Sequence, residues 1–487
     1  MIYNQALSIV GTSCDVGEVL HLVDAQSEVS GIRSSSRKAM RLAAAAGLTA
    51  CMGVLAGCGN SYRPVLATIG VVGPAGQPTK YAVAVSSSSP TSNGLMTLVD
   101  FSGDSVLVTA TVGVNPYYLV LNSSGTTGYT LNSDKTVTSF DISNQLISSE
   151  VLESTLPAGS NPVSLASLTS STYISDPGVN AIDQLVGSPA ALKQELPVAT
   201  AYSPLYVVGI ANAARAYAIT PAAGGCPTTG TVAAGQVQAI EIGVNTISAS
   251  LPVGRCPVYG VMSVDGLRAF ILNQRDGTVS VINTQQNALD AVASPYTNPI
   301  PVGTNPVWAD LASGLDELVV ANAGSGTTPG SVTIVNIPLC SVSALPNNPN
   351  CDPNNPIDAA AFGQVEANVP VGINPVMVSV LSDFTRAYVA NAGQANLPCA
   401  ANGVAVPGVS TTCTVSVVNL QTNTVTATIP IAGHPAYITT SAATPTGKVY
   451  VVCKDSQVMT VIKTNTDTVD TTIPLQGYGV SVRMTQP

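Results

Sequence analysis

Charged side chains are scarce in this chain of 487 residues, because Asp, Glu, Lys and Arg together make up only 9% of it. Helical bundles and coiled coils need far more of these residues, so the composition excludes them. The 17 basic residues are outnumbered by 27 acidic ones, which excludes the basic surface of a nucleic-acid-binding protein. Aromatic residues, at 5%, and histidine, with two copies, are rare as well.

What is abundant predicts an all-β protein. Apolar residues make up 45% of the chain, enough to bury a large core and to exclude disorder. The chain also contains 42 Gly and 34 Pro among many Val, Thr, Ser and Asn residues. This mixture is typical of short strands joined by tight turns.

Residues 1–57 are interpreted as a leader, with a signal peptide over residues 33–57. A basic stretch precedes an apolar run, residues 42–55, that is too short to span a bilayer. The run ends in Leu55-Ala-Gly-Cys58, which resembles a bacterial lipobox, so Cys58 is predicted to be the lipidated first residue of the mature chain. A short buried helix is the alternative. The acidic segment before Met40 is unlike a signal peptide and suggests a mis-assigned start codon.

The expected location follows from this leader. Residues 58–76 are predicted to be a lipidated N-terminus and linker, and residues 77–487 the folded domain. Gly59 follows Cys58, and the Asp that retains lipoproteins in the inner membrane is missing. We therefore expect a bacterial cell-envelope protein, held by lipid alone in the outer membrane or at the cell surface.

A short phrase, Gly-x-Asn-Pro or a variant of it, recurs along the chain. Its prolines are separated by roughly 40 to 70 residues, the length of one four-stranded unit with variable loops. The prolines are Pro116, Pro162, Pro204, Pro257, Pro306, Pro375 and Pro435.

Each unit contains alternating segments that predict four strands, named a to d from the proline onward. Strand b is centred on an aromatic or apolar residue, as in Arg386-Ala-Tyr-Val-Ala-Asn391. Strand c ends in Asn or Asp, as in Thr414-Val-Ser-Val-Val-Asn419, and strand d often ends in Ile-Pro. One such meander cannot bury both of its faces, so the units must stack in a ring, a β-propeller.

These segments resemble the YVTN-repeat propellers, a family of surface-layer and secreted proteins related to lactonase-like propellers. The resemblance covers roughly residues 64–487 and is clearest from 254 to 475. Strands b, c and d occur eight times, and the C-terminal segment 478–483 supplies an eighth strand a. Eight blades are therefore predicted, closed by the C-terminal strand, which leaves no free edge. Seven blades are the alternative.

Seven cysteines remain outside the leader and the lipid site, and six of them lie in predicted loops. Three disulfides would stabilise these loops in an oxidising compartment. A metal cluster has less support, because there is no Cys-x-x-Cys and only one His after Cys58. No metal or cofactor is therefore predicted, and Cys453 is expected to be a buried thiol. The predicted pairs are Cys226–Cys256, Cys340–Cys351 and Cys399–Cys413.

Two sets of residues are the candidate ligand site, where strand a lines the channel. The first is a polar ring at the d–a junctions, which alternatively only caps turns. The second set consists of the residues two positions after each proline, most of which are aromatic. The alternative is that these side chains pack between blades. Aromatic residues of the b strands are interpreted as packing between blades. The candidates are Asn115, Asn161, Asn305, Asn374 and His434 in the ring, and Tyr118, Tyr206, Tyr259, Trp308 and Tyr437 after the prolines.

Three functions are considered for this propeller. The first is a lipid-anchored binding or scaffold module for a protein or glycan, which presents loops 221–235, 323–330 and 393–413. The second is a lactonase-like hydrolase, implied by the resemblance, with His434 and nearby charges in the channel. The third is a structural cell-surface protein. We expect a monomer, and we favour binding because the predicted a strands carry few charges: Asp310, Asp383 and Arg483.

Overall fold

The computed structural model describes residues 80–142, 151–168, 171–211, 213–227, 229–290, 297–338, 361–401, 403–441 and 444–485. In these ranges all regular structure is β, with 33 strands. No helix in this part of the chain is long and apolar enough to cross a membrane. The strands lie in one compact unit, Pro78–Pro487. The predicted leader, Cys58 and the linker lie outside the described residues.

Strands β1 to β15 form the first four blades. Each blade is an antiparallel sheet in which consecutive strands pair. The strands are β1 (Tyr81–Ser87), β2 (Asn93–Asp100), β3 (Ser105–Val114), β4 (Pro116–Leu121), β5 (Thr127–Asn132), β6 (Thr136–Asp141), β7 (Val151–Thr155), β8 (Ser164–Ser167), β9 (Thr172–Asp176), β10 (Ala181–Val186), β11 (Ala191–Pro197), β12 (Tyr206–Val208), β13 (Arg215–Thr220), β14 (Ala234–Glu241) and β15 (Thr246–Arg255).

The remaining strands form blades 5 to 8 and close blade 1. The outer strand of blade 5 consists of two short pieces, β19 and β20, which both pair with β18. The strands are β16 (Pro257–Met262), β17 (Arg268–Asn273), β18 (Thr278–Asn283), β19 (Ala288–Leu289), β20 (Ile300–Pro301), β21 (Pro306–Ala312), β22 (Glu317–Asn322), β23 (Pro329–Asn336), β24 (Val365–Ile373), β25 (Pro375–Val380), β26 (Arg386–Asn391), β27 (Thr414–Asn419), β28 (Thr424–Pro430), β29 (Pro435–Ser441), β30 (Lys448–Cys453), β31 (Val458–Lys463), β32 (Thr468–Pro474) and β33 (Tyr478–Met484).

The eight blades form a ring, which confirms the predicted propeller. The last strand, β33, pairs antiparallel with β1 and takes the innermost position of blade 1. The alternative of seven blades is therefore wrong. The C-terminal strand gives blade 1 four strands, like its neighbours, so the inner edge of β1 is not exposed.

Burial along each strand follows its place in the blade. In blade 7, β27 is buried at almost every position, whereas the outer strand β28 alternates between exposed and half-buried residues. Inner strands have a blade against each face, and outer strands have one face toward solvent. The low charge content is therefore explained by eight blades that bury most of their surface against each other.

The repeated Gly-x-Asn-Pro phrase forms each sharp connection from strand d to the next strand a. Asn305 has a φ of 61°, in the left-handed region, and Pro306 then starts β21 with a β-bulge before Trp308. Gly303 lies so close to Asn322 that a Cβ atom at this position would be 2.6 Å from the Asn322 Cγ atom. The glycine is needed for close packing, and Asn suits the left-handed corner because its short side chain tolerates it.

The aromatic residues of the b strands pack between blades, as predicted. Tyr388, for example, is fully buried, and its hydroxyl donates to Asp467 Oδ1 of blade 8 at 2.7 Å. The Tyr450 hydroxyl donates in the same way to Asp104 Oδ1 of blade 1 at 3.2 Å. Each acceptor lies in the turn between strands c and d of the next blade, so these tyrosines join neighbouring blades.

Candidate functional site

Five aromatic side chains from strands a converge in the central channel, and we call them the aromatic layer: Tyr118, Tyr206, Tyr259, Trp308 and Tyr437. The Tyr259 and Trp308 rings stack with centroids 3.9 Å apart and planes 20° apart. Tyr206 lies 4.8 Å from Tyr259, and Tyr437 meets Trp308 edge-on at 5.9 Å. Rings from different blades make these contacts, so the residues after the prolines face the channel and each other.

The next channel-facing position along strand a carries polar groups in four blades. Asp310, Ser379, Thr439 and Arg483 each pair with the central residue of their neighbouring b strand, which places them at equivalent positions of blades 6, 7, 8 and 1. We call these four residues the polar layer. Four successive strands a thus bring an acid, a base and two hydroxyls to one level of the channel.

Arg483 is the cation of this channel. Its guanidinium carbon lies 4.2 Å from the centroid of the Tyr437 ring, a cation–π contact. Its Nε atom donates to the Leu119 carbonyl oxygen at 3.3 Å. Burial raises the pKa of the Tyr437 hydroxyl above its ordinary value, and the charge of Arg483 opposes that rise.

Asp310 is the acid of the polar layer. Its two carboxylate oxygens accept hydrogen bonds from the backbone N–H groups of Val380 and Leu311, each at 2.8 Å. Burial raises the pKa of Asp310 to about 6, although these hydrogen bonds and the charge of Arg483 oppose the rise. The Asp310 carboxyl therefore changes its protonation state close to neutral pH.

The polar layer and three rings of the aromatic layer, Tyr259, Trp308 and Tyr437, line a cavity of about 380 Å³. Its wall includes Trp308, Asp310 and Arg483 and continues to Leu381 and Phe384 in the turn between strands a and b of blade 7. None of the Asn residues of the d–a junctions lines it. The cavity therefore extends from the aromatic layer away from the junctions, toward the opposite mouth of the channel.

The junction asparagines lie at the connections between blades, outside the channel cavity. Asn115, Asn305 and Asn374 have φ values of 43°, 61° and 54° and form left-handed corners before their prolines. Asn161 is exposed, and its backbone N–H donates to Asp176 Oδ1 at 2.8 Å. Three of these residues thus form corners of the backbone, and a ligand at the channel cavity would contact none of the four. Asn115 does line a separate cavity of about 450 Å³ beside the exposed Tyr117.

His434 and Asp383, two candidates for channel chemistry, lie elsewhere. His434 is buried at its junction, where its Nδ1 atom lies 2.6 Å from Asp455 Oδ2. Asp383 accepts hydrogen bonds from Thr385 and Thr444 in a turn. Burial raises the Asp383 pKa, but these four hydrogen bonds outweigh it and lower the pKa to about 2.

The cysteines form one of the predicted disulfides among the described residues. Cys399 and Cys413 are bonded, with their Cα atoms 5.4 Å apart. Cys226 and Cys256 interact but are free thiols, and burial together with Cys256 raises the pKa of Cys226 to about 12. Their disulfide stays a prediction, while Cys340 and Cys351 lie outside the described residues. Cys453 is a buried free thiol.

A further cavity of about 650 Å³ lies against one of the predicted presenting loops. Pro221 to Cys226 of that loop, Tyr202 and Val258 contribute to its mostly apolar lining. Loop 393–413 of blade 7 exposes apolar side chains as well, at Val404, Val406 and Val409. Both features belong to the face that carries the b–c loops.

Sequence reasoning left open whether the aromatic layer faces the channel or packs between blades, and it missed Ser379 and Thr439. Each of the two lies four residues after the proline that begins its strand a. Asp310 and Arg483 were identified as the nearest charges, yet nothing in the sequence shows that blades 6 and 1 bring them to one cavity.

The comparisons with known proteins support the fold alone. No family model and no curated protein matches the chain. Apo AztD from Citrobacter koseri matches with a TM-score of 0.52 and 12% identity, over 83% of this chain and 97% of that one. The dihydro-heme d1 dehydrogenase NirN, in complex with DHE, matches with 0.56 and 13%, over 84% and 76%. Both proteins are similar to this chain in architecture, and sequence identities this low do not indicate a shared function.

Proposed function

We propose that the protein is a binding module whose channel cavity receives a small polar ligand with a flat apolar face, such as the terminal sugar of a glycan. The observation that carries this proposal is that Tyr259, Trp308 and Tyr437 of the aromatic layer line one cavity together with the polar layer. Ring faces bind the apolar side of a sugar, and a few placed polar groups fix its orientation. A volume of about 380 Å³ suits a ligand of that size.

The polar groups of the cavity complement hydroxyl-rich ligands. Arg483 offers only donors, and an ionised Asp310 only acceptors, while Ser379 and Thr439 offer both. A sugar hydroxyl can donate to one group and accept from another. The aromatic layer meanwhile closes one side of the cavity, which leaves room for the end of a chain, with the rest of the glycan outside.

A glycan array followed by calorimetric titration tests this proposal. Trp308→Ala removes the ring that contacts both Tyr259 and Tyr437, so it should weaken binding at least about tenfold, a loss of about 1.4 kcal/mol. Tyr478→Ala is the matched control, because Tyr478 is exposed and lines the separate cavity beside Tyr117. Binding lost only with Tyr478→Ala would reject the channel, and binding of peptides alone would favour a protein partner at the loops.

A hydrolase is the second candidate, and the pKa of Asp310 favours it. A carboxyl that titrates near 6 can act as a general base at neutral pH. Lactone hydrolysis that follows a single titration near that pH and disappears in Asp310→Asn would support this activity. His434 does not line the cavity, so His434→Gln should leave such an activity unchanged.

The lipid anchor and the envelope location complete the proposal. They are supported by the lipobox-like sequence that ends at Cys58. Cys58→Ser should release the protein from the membrane fraction, and globomycin should block its processing. A protein that stays in the membrane fraction after this substitution, or is processed in the presence of globomycin, is not a lipoprotein of this kind. An anchored protein without any ligand would be a structural surface protein.

A further inference from the structure

Three potential metal ligands lie together on blade 7 and at the start of blade 8, away from the channel cavity. The Sγ atoms of Cys399 and Cys413 and a ring nitrogen of His434 all lie within 4.8 Å of one another. Cys399 and Cys413 belong to the b–c loop of blade 7, and His434 to the d–a junction that follows. The two cysteines are joined as a disulfide in this structure.

His434 is oriented as a metal ligand would be. Its Nδ1 atom lies 2.6 Å from Asp455 Oδ2, and its backbone N–H donates to Asp455 Oδ1 at 2.6 Å. A carboxylate only accepts, so Nδ1 donates this hydrogen bond, which leaves Nε2 as the ring nitrogen that can bind a metal. A carboxylate that holds the other ring nitrogen in this way is the usual partner of a metal-bound histidine.

The Nε2 atom of His434 has nothing to bind in the described part of the chain. The side chain is only 8% exposed, and the buried Nε2 has no hydrogen-bond partner there. Leaving a buried acceptor unsatisfied costs about 1–3 kcal/mol. A metal ion held together with the two nearby sulfur atoms would give this nitrogen a partner.

We propose that reduction of the Cys399–Cys413 disulfide creates a Cys₂His site for a thiophilic divalent metal such as Zn²⁺. A dithiol reductant supplies two electrons and two protons, which cleave the S–S bond into two thiols while the reductant becomes a disulfide. Metal binding then releases both thiol protons, and the two thiolates and His434 Nε2 coordinate the ion. A water molecule takes the fourth position, as is common where proteins supply three ligands.

The surroundings permit this change. Zinc–sulfur bonds of about 2.3 Å in tetrahedral geometry place two thiolates about 3.8 Å apart, so the sulfurs must separate. Cys413 is buried beside the end of strand β26, whereas Cys399 is only half-buried within the long loop. Backbone hydrogen bonds tie both neighbours of Cys399 to Thr411, so the sulfurs separate by rotation of the cysteine side chains while the backbone stays in place. Oxidised protein lacks thiolates, so the site exists only under reducing conditions.

Cobalt binding to the whole protein tests the proposal. Free thiols are first alkylated with N-ethylmaleimide in the oxidised protein, which is then reduced with dithiothreitol and desalted without oxygen. Titration with CoCl₂ should give the thiolate-to-cobalt charge-transfer absorption at one equivalent. The oxidised protein should show none, and Zn²⁺ should displace the cobalt.

Variants separate this site from other thiols. His434→Gln should weaken cobalt binding about 100-fold, and Asp455→Asn about 10- to 100-fold. Cys226→Ser removes a thiol of the predicted Cys226–Cys256 pair and should leave the titration unchanged. Equal cobalt affinity in His434→Gln, or no binding after reduction, would overturn the proposal.

A second measurement needs no variant. In the reduced wild-type protein, Zn²⁺ should protect Cys399 and Cys413 from iodoacetamide, as read by mass spectrometry of their peptides. Alkylation of both cysteines at the same rate with and without Zn²⁺ would also overturn the proposal.

Discussion

Asp176 and Asp183 occupy, in blade 3, positions that hold an amide and a hydroxyl in four other blades. In blade 5, for example, Asn273 Nδ2 donates to Ser280 Oγ at 2.9 Å. In blade 3 three carboxylate oxygens of the buried pair have no donor among the described residues. Burial, followed by the charges of Asp176 and Glu195, raises the pKa of Asp183 to about 7.

Asp183→Asn should therefore stabilise the protein in a pH-dependent way. The pKa of Asp183 rises from 3.8 to about 7 in the native state, so the stability that its neutral form provides is complete below pH 4 and is lost as the pH rises to 7. The asparagine has no such loss and can donate to Asp176. Its advantage over the wild type in urea unfolding should grow by about 2–4 kcal/mol between pH 4 and pH 8. A stability difference between variant and wild type that stays constant from pH 4 to pH 8 would contradict the raised pKa of Asp183.

Gly303→Ala tests the close packing under the repeated phrase. The new Cβ atom would lie 2.6 Å from the Asn322 amide and 2.8 Å from Ser331 Oγ, so it should displace Asn322 from its hydrogen bond to Thr333. We expect the free energy of unfolding to fall by about 1–3 kcal/mol. Gly243→Ala is the control, because its Cβ atom would meet nothing within 4 Å. Equal effects of the two changes would show that Gly303 is not needed for packing.

At the scale of the element, the junction between blades combines a left-handed residue, a proline and a β-bulge. Asn374 has a φ of 54°, and the register then shifts between Pro375 and Met377. The bulge turns the residue two positions after the proline toward the channel. This short segment thus ends strand d and, in blades with an aromatic residue at that position, also orients a ring of the aromatic layer.

Asn374→Ala should lower the free energy of unfolding by about 1–2 kcal/mol, because alanine disfavours the left-handed region. Asn374→Gly should be tolerated. Asn161→Ala is the matched control from the same repeat position, since Asn161 is exposed and does not have a positive φ. Denaturant unfolding of the three variants measures these differences. A loss as large for Asn161→Ala as for Asn374→Ala would indicate a role for the amide group itself.

At the scale of the whole molecule, blade 8 meets blade 1 through a buried ion pair as well as through β33. Lys448 Nζ lies 2.6 Å from Asp104 Oδ2 and donates to the Phe101 carbonyl oxygen at 2.6 Å. Both charged side chains are nearly enclosed, at 13% and 12% exposure. This contact joins residues from the two ends of the chain.

Lys448→Met should destabilise the ring by about 3–5 kcal/mol, because it leaves Asp104 buried without its partner. Lys463→Met is the control: its ion pair with Asp470 is far more exposed, so we expect a change below about 1 kcal/mol. Thermal and urea unfolding measure both. If both substitutions lower stability by less than about 1 kcal/mol, the Lys448–Asp104 ion pair is already solvated in the wild-type protein.

Much of this architecture was predictable from local sequence. Alternation, turn residues and the repeated phrase predicted the strands and eight blades, because each signal acts within one blade or between consecutive blades. The Cys399–Cys413 disulfide was also predictable, because its cysteines lie 14 positions apart in one loop. The polar ring was less predictable, because Asn before Pro has the same sequence signature whether it caps a turn or binds a ligand.

The sequence by itself therefore determined the strands, their order and the closure of the ring. Only the tertiary structure decided which residues meet: Asp310 with Arg483 in the channel, and His434 with Cys399 and Cys413 beside blade 7. The physical reason is range. Strand periodicity, left-handed corners and low charge act between near neighbours, whereas these sites join residues from different blades, whose positions depend on how the whole ring packs.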